Sequence, residues 1–417
     1  MTADRMEGKE TGHLTSAAAA ADTSAAQPIG DWRISRAVLP TLIASVVGLM
    51  PFTVYSTYLV AITDDAGESA AVVGALRGLG GIGAVVVGIV VAPLIGRIAP
   101  GKVAAWSLLL LAAASLVGTI AWLPALAAFC LLIGVSNAVL YPALTTAAAD
   151  RFGTSPAAAR AATLVSATRT LAATLVVPVL AFPALLWGWR GDLVAIAVIA
   201  TALMPVLLRY GRVGHNDTAP RHGYFAAFRA LAAVPGARAI IVLSFGQAAA
   251  FQGYQAYMAV YYSDQFGLTP GVFAFVWTLS GGAFFLGNLF TGRLVNRTES
   301  DRLACRALHV CLVVALISLF GVFLAPTLPL ALVSSAVLSA SHAVGVAASV
   351  TLLVRRCDTL RGTALSLKAS SMSLGLFLGA AAGGAGLAAG GYLGAAAVFG
   401  GFTALSVGAA TAVRSRV

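Results

Sequence analysis

Residues 103–149 read VAAWSLLLLAAASLVGTIAWLPALAAFCLLIGVSNAVLYPALTTAAA and contain no charged side chain. A membrane-spanning helix needs about 20 apolar residues, so this stretch is too long for a single crossing. Leu123-Pro124 interrupts it near the middle, and proline does not continue an α-helix. The stretch therefore predicts two antiparallel transmembrane helices, which places the chain among helical membrane proteins.

The composition of the whole chain supports this class. Of the 417 residues, 59% are hydrophobic and 10% are charged, against about 45–50% and about 25% in soluble domains. So few charges could not cover the surface of a soluble protein of this length. The composition excludes a soluble enzyme, a secreted disulfide scaffold and a disordered protein.

Uncharged stretches place the other helices by the same rule. We name the twelve predicted transmembrane helices spans 1–12 in chain order. They cover 37–62, about 70–96, the two parts of 103–149, about 158–186, about 192–208, 239–263, about 270–292, the two parts of 307–354 on either side of Ala325–Pro329, and the two parts of 362–413 on either side of Gly383–Gly391. A polar, basic segment, Arg209–Arg238, separates the first six spans from the last six.

The two sets of six spans repeat one another. At an offset of 200 residues, a series of positions matches in order, and Ser136–Val139 of span 4 resembles Ser341–Val344 of span 10. Such an ordered series indicates a duplicated six-helix unit. The matched pairs are Asp64 with Asp264, Gly67 with Gly267, Ser69 with Thr269, Leu79 with Leu279, Gly81 with Gly281, Leu94 with Leu294 and Arg97 with Arg297.

This pattern divides the chain into four parts. Residues 1–32 lack the apolar core of a signal peptide and are predicted to form a disordered cytoplasmic tail. Residues 33–210 form the first six-helix bundle, which we call the N-half, and 238–413 form the second, the C-half. Residues 211–237 are the cytoplasmic linker between them.

The cations set the orientation. With both termini in the cytoplasm, the inner loops and tails carry 22 of the 26 Lys and Arg residues, as the positive-inside rule requires. This distribution accounts for the net charge of +11 without a nucleic-acid partner. The four cysteines have neither metal-site nor disulfide spacing, and no phosphate-binding Gly-Lys motif is present. We therefore expect no metal, no cofactor, and a location in the inner (plasma) membrane.

Three short motifs add a family resemblance. Ala92–Arg97 reads APLIGR, its repeat mate Gly292–Arg297 reads GRLVNR, and Gly188-Trp189-Arg190 precedes span 6. Together with the two six-helix halves, they resemble the major facilitator superfamily over about 33–413, and most closely its bacterial sugar-efflux and metabolite-efflux permeases. The resemblance implies an all-α fold of twelve transmembrane helices in two six-helix repeats.

The resemblance also implies a gating role for the loops that follow spans 2 and 8. The family's loop motif, G-x-L-a-D-R-x-G-R, carries an acid of the charge relay that holds the inner gate shut. That acid is replaced here by Gly96 and by Asn296. The residues implied in gating are Arg97, Gly292, Asn296 and Arg297.

The charged residues inside the spans are all cations. The fifteen acids lie outside the spans or at their edges, whereas Arg77, Arg169 and Lys368 lie within spans 2, 5 and 11. A charge at the bilayer centre costs about 2.5–3.5 kcal/mol, so such residues are usually paired or functional. If these three face a central cavity, they favour a negatively charged or electron-rich solute.

Each of these cations also has a structural interpretation. Arg77 lies about two turns from the outer end of span 2 and could snorkel to the outer acids. Lys368 could snorkel to the inner surface, and Arg169 could hydrogen-bond backbone carbonyls. The outer acids are Asp64, Asp65 and Glu68.

Polar side chains inside the spans are the other candidates. They either line a central cavity or form hydrogen bonds between helices. Around Arg169 we expect Gln252, Gln255, Tyr55 and Asn137, with Tyr254, Lys368 and Arg77 as further substrate-binding candidates. His342 occupies the position in span 10 that matches Asn137 in span 4. Because its ordinary pKa is near 6.5, it is the candidate for proton coupling.

A central cavity between two repeated halves predicts a secondary active transporter that exports a small organic solute by alternating access. Uptake or exchange of an organic anion is the alternative within transport. A receptor or assembly partner that transports nothing is the alternative of another class, although such a protein needs neither the repeat nor the polar helices. The sequence contains no cluster of catalytic residues that would indicate an enzyme. We expect a monomer in the bilayer, with protons as a possible coupling ion.

Overall fold

The structure is a computed structural model. It describes most of the chain, and every regular element in the described residues is a helix. The described residues are 31–90, 98–153, 157, 158, 160–162, 164, 165, 167–169, 171, 172, 180, 184, 187–210, 224–295, 301–357 and 360–414.

The helices of the N-half follow the predicted spans. Span 1 is interrupted at Tyr58 and span 2 at Arg77-Gly78, so each consists of two consecutive helices. The described residues of span 5, including Arg169, are helical. A short helix, Asp31–Ala37, precedes span 1. The helices of the spans are Leu39–Thr57 and Leu59–Ala66 (span 1), Ala70–Leu76 and Leu79–Val90 (span 2), Pro100–Gly118 (span 3), Leu123–Asp150 (span 4) and Trp189–Tyr210 (span 6).

The helices of the C-half begin after a linker helix, Tyr224–Ala233. Spans 11 and 12 form one continuous helical run that is broken only at Gly390 and Gly391, where the φ of Gly391 is 58°. The break lies at the end of the predicted dividing stretch. The helices are Ala237–Phe266 (span 7), Pro270–Val295 (span 8), Asp301–Phe323 (span 9), Leu328–Arg356 (span 10) and Arg361–Arg414 (spans 11 and 12).

Nine helices within the described residues are long and apolar enough to cross a membrane. The last of them, Thr363–Val413, has 51 residues and covers both spans 11 and 12, because one crossing needs only about 20. Span 7 is not among the nine, since its amides and tyrosines lower its hydropathy. The fold is therefore an all-α, multi-pass membrane protein.

Small residues bring the helices of each half close together. In the N-half, Gly134 of span 4 lies against the backbone of Gly80 in span 2. In the C-half, Gly379 of span 11 lies against the backbone of Ala249 in span 7. Contacts of this kind let helix backbones approach in a bilayer, where the hydrophobic effect does not drive association.

At the ends of the bundles opposite the two termini, which we call outer, each half ties its first loop to its last span. In the N-half, Asp65 Oδ2 accepts hydrogen bonds from Trp189 Nε1 at 2.9 Å and from Arg190 at 2.5 Å. In the C-half, Tyr392 donates a hydrogen bond to Asp264 Oδ2 at 2.6 Å. We call these two groups the outer clasps, and they tie together the outer ends of each bundle.

Candidate functional site

The two halves meet near the outer ends of spans 2, 7 and 11, in a contact that we call the outer seam. Tyr257 of span 7 donates hydrogen bonds to the carbonyl of Ala380 at 2.8 Å and to that of Ala71 at 3.3 Å. Its ring lies against Gly74 of span 2, where a side chain would collide with it. One buried tyrosine therefore joins span 7 to span 11 and to the opposite half.

Glycines of span 2 form the rest of the seam. Gly78 and Gly81 face the backbone of Phe377 and Ser373 in span 11, and a Cβ at either glycine would overlap that backbone. Gly74, Gly78 and Gly81 recur at helical spacing, so they present one small-residue face to the C-half. The seam thus depends on direct contact between helix backbones.

Arg77 lies in the middle of this seam and does not snorkel. Its side chain is 6% exposed, and its NH1 donates to the carbonyl of Gln252 in span 7 at 3.1 Å. Asp65, one of the acids it was expected to reach, is engaged in the outer clasp. The snorkelling interpretation is wrong in this structure, because the guanidinium turns inward to the other half.

A second polar group lies deeper in the N-half, and we call it the central polar cluster: Arg169, Tyr141 and Asn137. Arg169 is exposed, and its guanidinium stacks 4.0 Å from the centroid of the Tyr141 ring. The Tyr141 hydroxyl and Asn137 Oδ1 are buried, and no described residue is hydrogen-bonded to either. Both atoms lie close to Gly48 of span 1, so the cluster occupies the contact between spans 1, 4 and 5.

Several predicted partners of Arg169 lie elsewhere. Tyr55 is buried, donates to the carbonyl of Val73 at 2.6 Å and stacks on Phe129. Tyr254 is also buried, and its hydroxyl pairs with that of Ser335 at 2.8 Å inside the C-half. The expectation that these two hydroxyls face the cavity around Arg169 therefore does not hold, because both are used within their own bundle.

The two glutamines expected beside Arg169 are only partly buried. The main-chain oxygen of Gln252 contacts Arg77. The described contacts of Arg169 include neither Gln252 nor Gln255, so the proposed role of their side chains in substrate binding stays a prediction.

Lys368 and His342 lie inside the C-half. Lys368 is 4% exposed and its ammonium donates to the Met372 sulfur at 3.3 Å, so it does not reach the inner surface. His342 is 6% exposed and stacks on Phe251, with ring centroids 3.9 Å apart. It also lines a cavity of about 20 Å³, which has room for a single water molecule. This cavity is too small for an organic solute.

The residues expected to gate the inner side fall mostly outside the described residues. Arg97, Asn296 and Arg297 lie outside the described residues, and Gly292 is described only as part of the span 8 helix. A described acid in the same region of the C-half forms ion pairs. Asp301, at the start of span 9, pairs with Arg355 at 3.6 Å and with Arg356 at 3.1 Å, both at the end of span 10.

Sequence reasoning overlooked Tyr141. It lies four residues after Asn137, on the same face of span 4, and that spacing could have revealed it. Tyr257 was not among the predicted site residues. Its role in the seam depends on contacts with another half of the molecule, which helical spacing does not predict.

Comparison with known proteins identifies the family. The model of the Major Facilitator Superfamily matches residues 41–304, more than half of the chain. The chain belongs to this superfamily. It is therefore a membrane transporter of small solutes rather than an enzyme, as its sequence predicted. No curated protein sequence matches it.

Solved structures share the fold of this superfamily member. A bacterial homologue of the human lysosomal transporter Spinster, in an inward-facing, unoccupied conformation, aligns with a TM-score of 0.69 at 15% identity, over 92% of this chain and 95% of that one. A point mutant of the nucleoside transporter NupG aligns with 0.72 at 14%, over 91% and 99%. The human organic anion transporter MFSD10 aligns with 0.60 at 14%, over 92% and 100%.

Proposed function

We propose that this superfamily member exports a small organic solute with an anionic or oxygen-rich group, which binds at the central polar cluster. The observation that supports this is the exposure of Arg169 near the middle of span 5. A cation facing lipid at that depth would cost about 2.5–3.5 kcal/mol. An exposed arginine there therefore favours a water-filled space between the halves.

The surroundings of Arg169 favour a negative solute group. Its described partner is the face of the Tyr141 ring, and no described residue accepts a hydrogen bond from its planar fork of N–H donors or pairs with it through a carboxylate. That fork fits a carboxylate or phosphate through two parallel hydrogen bonds. The unpaired Asn137 Oδ1 and Tyr141 hydroxyl would accept or donate hydrogen bonds to other polar groups of the same solute.

Binding to purified protein in nanodiscs tests this proposal. The probes are matched acid and amide pairs: benzoate with benzamide, and glucuronate with glucuronamide. Arg169→Ala should weaken binding of the acids at least about tenfold, because a charge-assisted pair is worth about 1.5–3 kcal/mol, and should change amide binding little. Arg169→Lys should restore only part of the affinity, since an ammonium lacks the planar fork.

The control is Arg306→Ala, which removes an exposed arginine near the inner end of span 9. It should bind all four probes as the unchanged protein does. Equal weakening of acids and amides by Arg169→Ala would reject the anion assignment. Lower yield of folded protein with unchanged affinity would show that Arg169 serves only the structure.

Direction, topology and coupling are further parts of the proposal. Export from the cytoplasm across the inner membrane by a monomer rests on the efflux-like motifs and the cation distribution. Right-side-out and inverted vesicles loaded with the probe that binds best distinguish export from uptake or exchange, the alternative that the three membrane cations favour. A reporter fused after Val417 should be cytoplasmic, and a periplasmic reporter would refute the proposed orientation.

A further inference from the structure

Arg77 is a membrane cation that the central polar cluster does not use. It lies seven residues into span 2, about 10 Å below the outer end of that helix. The described hydrogen bond of its guanidinium is the one from NH1 to the Gln252 carbonyl at 3.1 Å. Its Nε is buried, and no described residue accepts a hydrogen bond from it. The Phe52 ring lies 5.9 Å from the guanidinium carbon.

Within the described part of the chain, the charge of Arg77 has no counterion. No described carboxylate lies within ion-pair distance of it, and Asp65 is held by Trp189 and Arg190. A neutral carbonyl replaces only part of the hydration that a buried cation loses. A carboxylate would occupy two donors of the fork at once and would bring the missing negative charge.

The hydrogen bond of Arg77 crosses from the N-half to the C-half. Gln252 belongs to the C-half, so separation of the halves at the outer seam removes its carbonyl from Arg77. Tyr257 lies five residues closer to the outer end of span 7, and its hydrogen bonds to Ala71 and Ala380 close the seam above Arg77. Opening the seam therefore exposes a guanidinium with free donors to the outer side.

We propose that Arg77 is a second anion-binding site, occupied by the Gln252 carbonyl while the seam is closed and by the anionic group of the solute once it opens. The inference rests on the proposed function, because it assumes an anionic solute. Its ligands are organic carboxylates, phosphonates and similar oxyanions. Arg169 binds the solute deeper in the membrane, and Arg77 receives its anionic group on the way out. A ligand that binds only the open state shifts the equilibrium toward that state.

Distance measurements by electron paramagnetic resonance test this exchange of partners on the full-length chain in nanodiscs. Spin labels at Glu68→Cys and Thr269→Cys report the separation of the two outer loops. The four native cysteines are buried, so the introduced ones react first. In the otherwise unchanged protein, saturating benzoate or phenylphosphonate should increase the long-distance population about threefold or more. Benzamide should not.

Three variants complete the test. Arg77→Gln should be more open without ligand, since the charged donor to Gln252 is lost, and should not respond to the anions. Arg77→Lys keeps the positive charge but lacks the planar fork of donors, so the anions should increase its long-distance population less than in the unchanged protein. This variant still tests the inference if Arg77→Gln does not fold. Arg306→Ala, which removes an exposed arginine near the inner end of span 9, is the control and should respond like the unchanged protein.

An anion response in Arg77→Gln equal to that of the unchanged protein would overturn the inference, as would an unchanged protein that stays closed with both anions. The spectroscopic signal does not require transport. If the chain moves no solute, the proposed function is refuted, but the distance measurement still tests the role of Arg77. If the distance measurement fails, the role of Arg77 is refuted and the proposed function still stands on the binding and transport assays.

Discussion

Gly67 and Gly267 lie 200 residues apart and have almost the same backbone conformation. Each ends the first span of its half with a φ of 67°, and their ψ values are 29° and 25°. The amide of each bonds back to the last helical turn, Gly67 to the Asp64 carbonyl and Gly267 to the Ser263 carbonyl. The sequence repeat is therefore also a repeat of local structure.

Replacing either glycine with alanine should destabilise the protein by about 1 kcal/mol, because residues with a Cβ disfavour the left-handed conformation. Open space surrounds both positions, so packing would not obscure the backbone effect. Thermal unfolding in detergent measures it. Gly282→Ala, in the middle of span 8 and also surrounded by open space, is the control and should be neutral or slightly stabilising. Unchanged stability of Gly67→Ala and Gly267→Ala would contradict this prediction.

The membrane architecture could be predicted from sequence because one physical property determines it. Every crossing requires about 20 residues without uncompensated charge, so the uncharged stretches locate the helices. The dividing prolines at Leu123-Pro124 and Leu328-Pro329 do begin spans 4 and 10. Span 7 was predicted although its hydropathy alone would miss it, because residues 239–263 contain no charged side chain.

The outer clasp of the N-half predicts a pH effect on stability. The pKa of Asp65 is lowered from its ordinary value, mainly by the hydrogen bond from Trp189 and then by Arg190. A lowered pKa stabilises the fold above the unfolded value of about 3.9, and this contribution is lost as the pH falls through the folded pKa. The melting temperature should therefore decline on acidification below about pH 4.

Asp65→Asn should reduce that decline, and Trp189→Phe should reduce it less. Melting curves in detergent between about pH 3 and pH 7 provide the measurement. Glu68→Gln removes an exposed outer carboxylate close in sequence and should leave the decline intact. An identical decline in Asp65→Asn and in the unchanged protein would show that the clasp contributes nothing to stability.

Substitutions of two tyrosines in span 7 should distinguish an effect on the closing of the outer seam from an effect on the stability of the bundle. Tyr257→Phe removes the hydroxyl that bonds the carbonyls of Ala380 and Ala71, and the loss of such a hydrogen bond costs about 0.5–1.5 kcal/mol. Because part of this cost exists only in the closed state, the outer seam should open more often. Labelling of a cysteine introduced at Ala75, whose Cβ faces Gly384 across the seam, by a water-soluble maleimide from the outside should become faster.

Tyr254→Phe is the matched control, because its hydroxyl pairs with Ser335 within the C-half. It should lower the melting temperature and leave the labelling rate unchanged. If both variants label at the rate of the unchanged protein, Tyr257 does not hold the seam closed.

The candidate site was less predictable because helical spacing does not reveal partners on other helices. Tyr254 was predicted to bind substrate, and Tyr257 lies three residues further along the same helix. The offset of about 60° between such positions directs one hydroxyl to span 10 and the other to span 2. Likewise, Lys368 was placed near the inner surface by its sequence position. The close packing of span 11 on span 7, through Gly375 and Gly379, leaves it buried instead.

The glycine face of span 2 should tolerate no side chain while the halves are closed. A Cβ at Gly81 would overlap the backbone of Ser373 in span 11, and neither backbone can move without separating the halves. Gly81→Ala should therefore favour the open seam in the spin-label measurement. Gly134→Ala creates a similar overlap with Gly80 inside the N-half and should destabilise the bundle instead. A closed seam in Gly81→Ala would show that the helices adjust locally.

His342 should carry any proton coupling that depends on a histidine. Its ring stacks on Phe251 and lines the cavity of about 20 Å³, so substitution can remove either its titration or its packing. His342→Phe keeps the stacked ring but cannot bind a proton, whereas His342→Gln keeps hydrogen bonding without the ring. The charged group that the described residues place near it is Lys368 of span 11. Span 7 contributes the non-titrating Gln247, which donates to the His342 carbonyl.

If His342 binds the coupling proton, both variants should lose the pH dependence of vesicle transport and keep downhill flux of the probe that binds best. If the ring only packs, His342→Phe should transport with the unchanged pH profile, and His342→Gln should lose folded protein. Lys102→Met, at an exposed position near the inner end of span 3, is the control that alters a cation without altering this core. Lys368→Met completes the comparison: loss of the pH profile in this variant alone would assign the proton to the lysine and exclude His342.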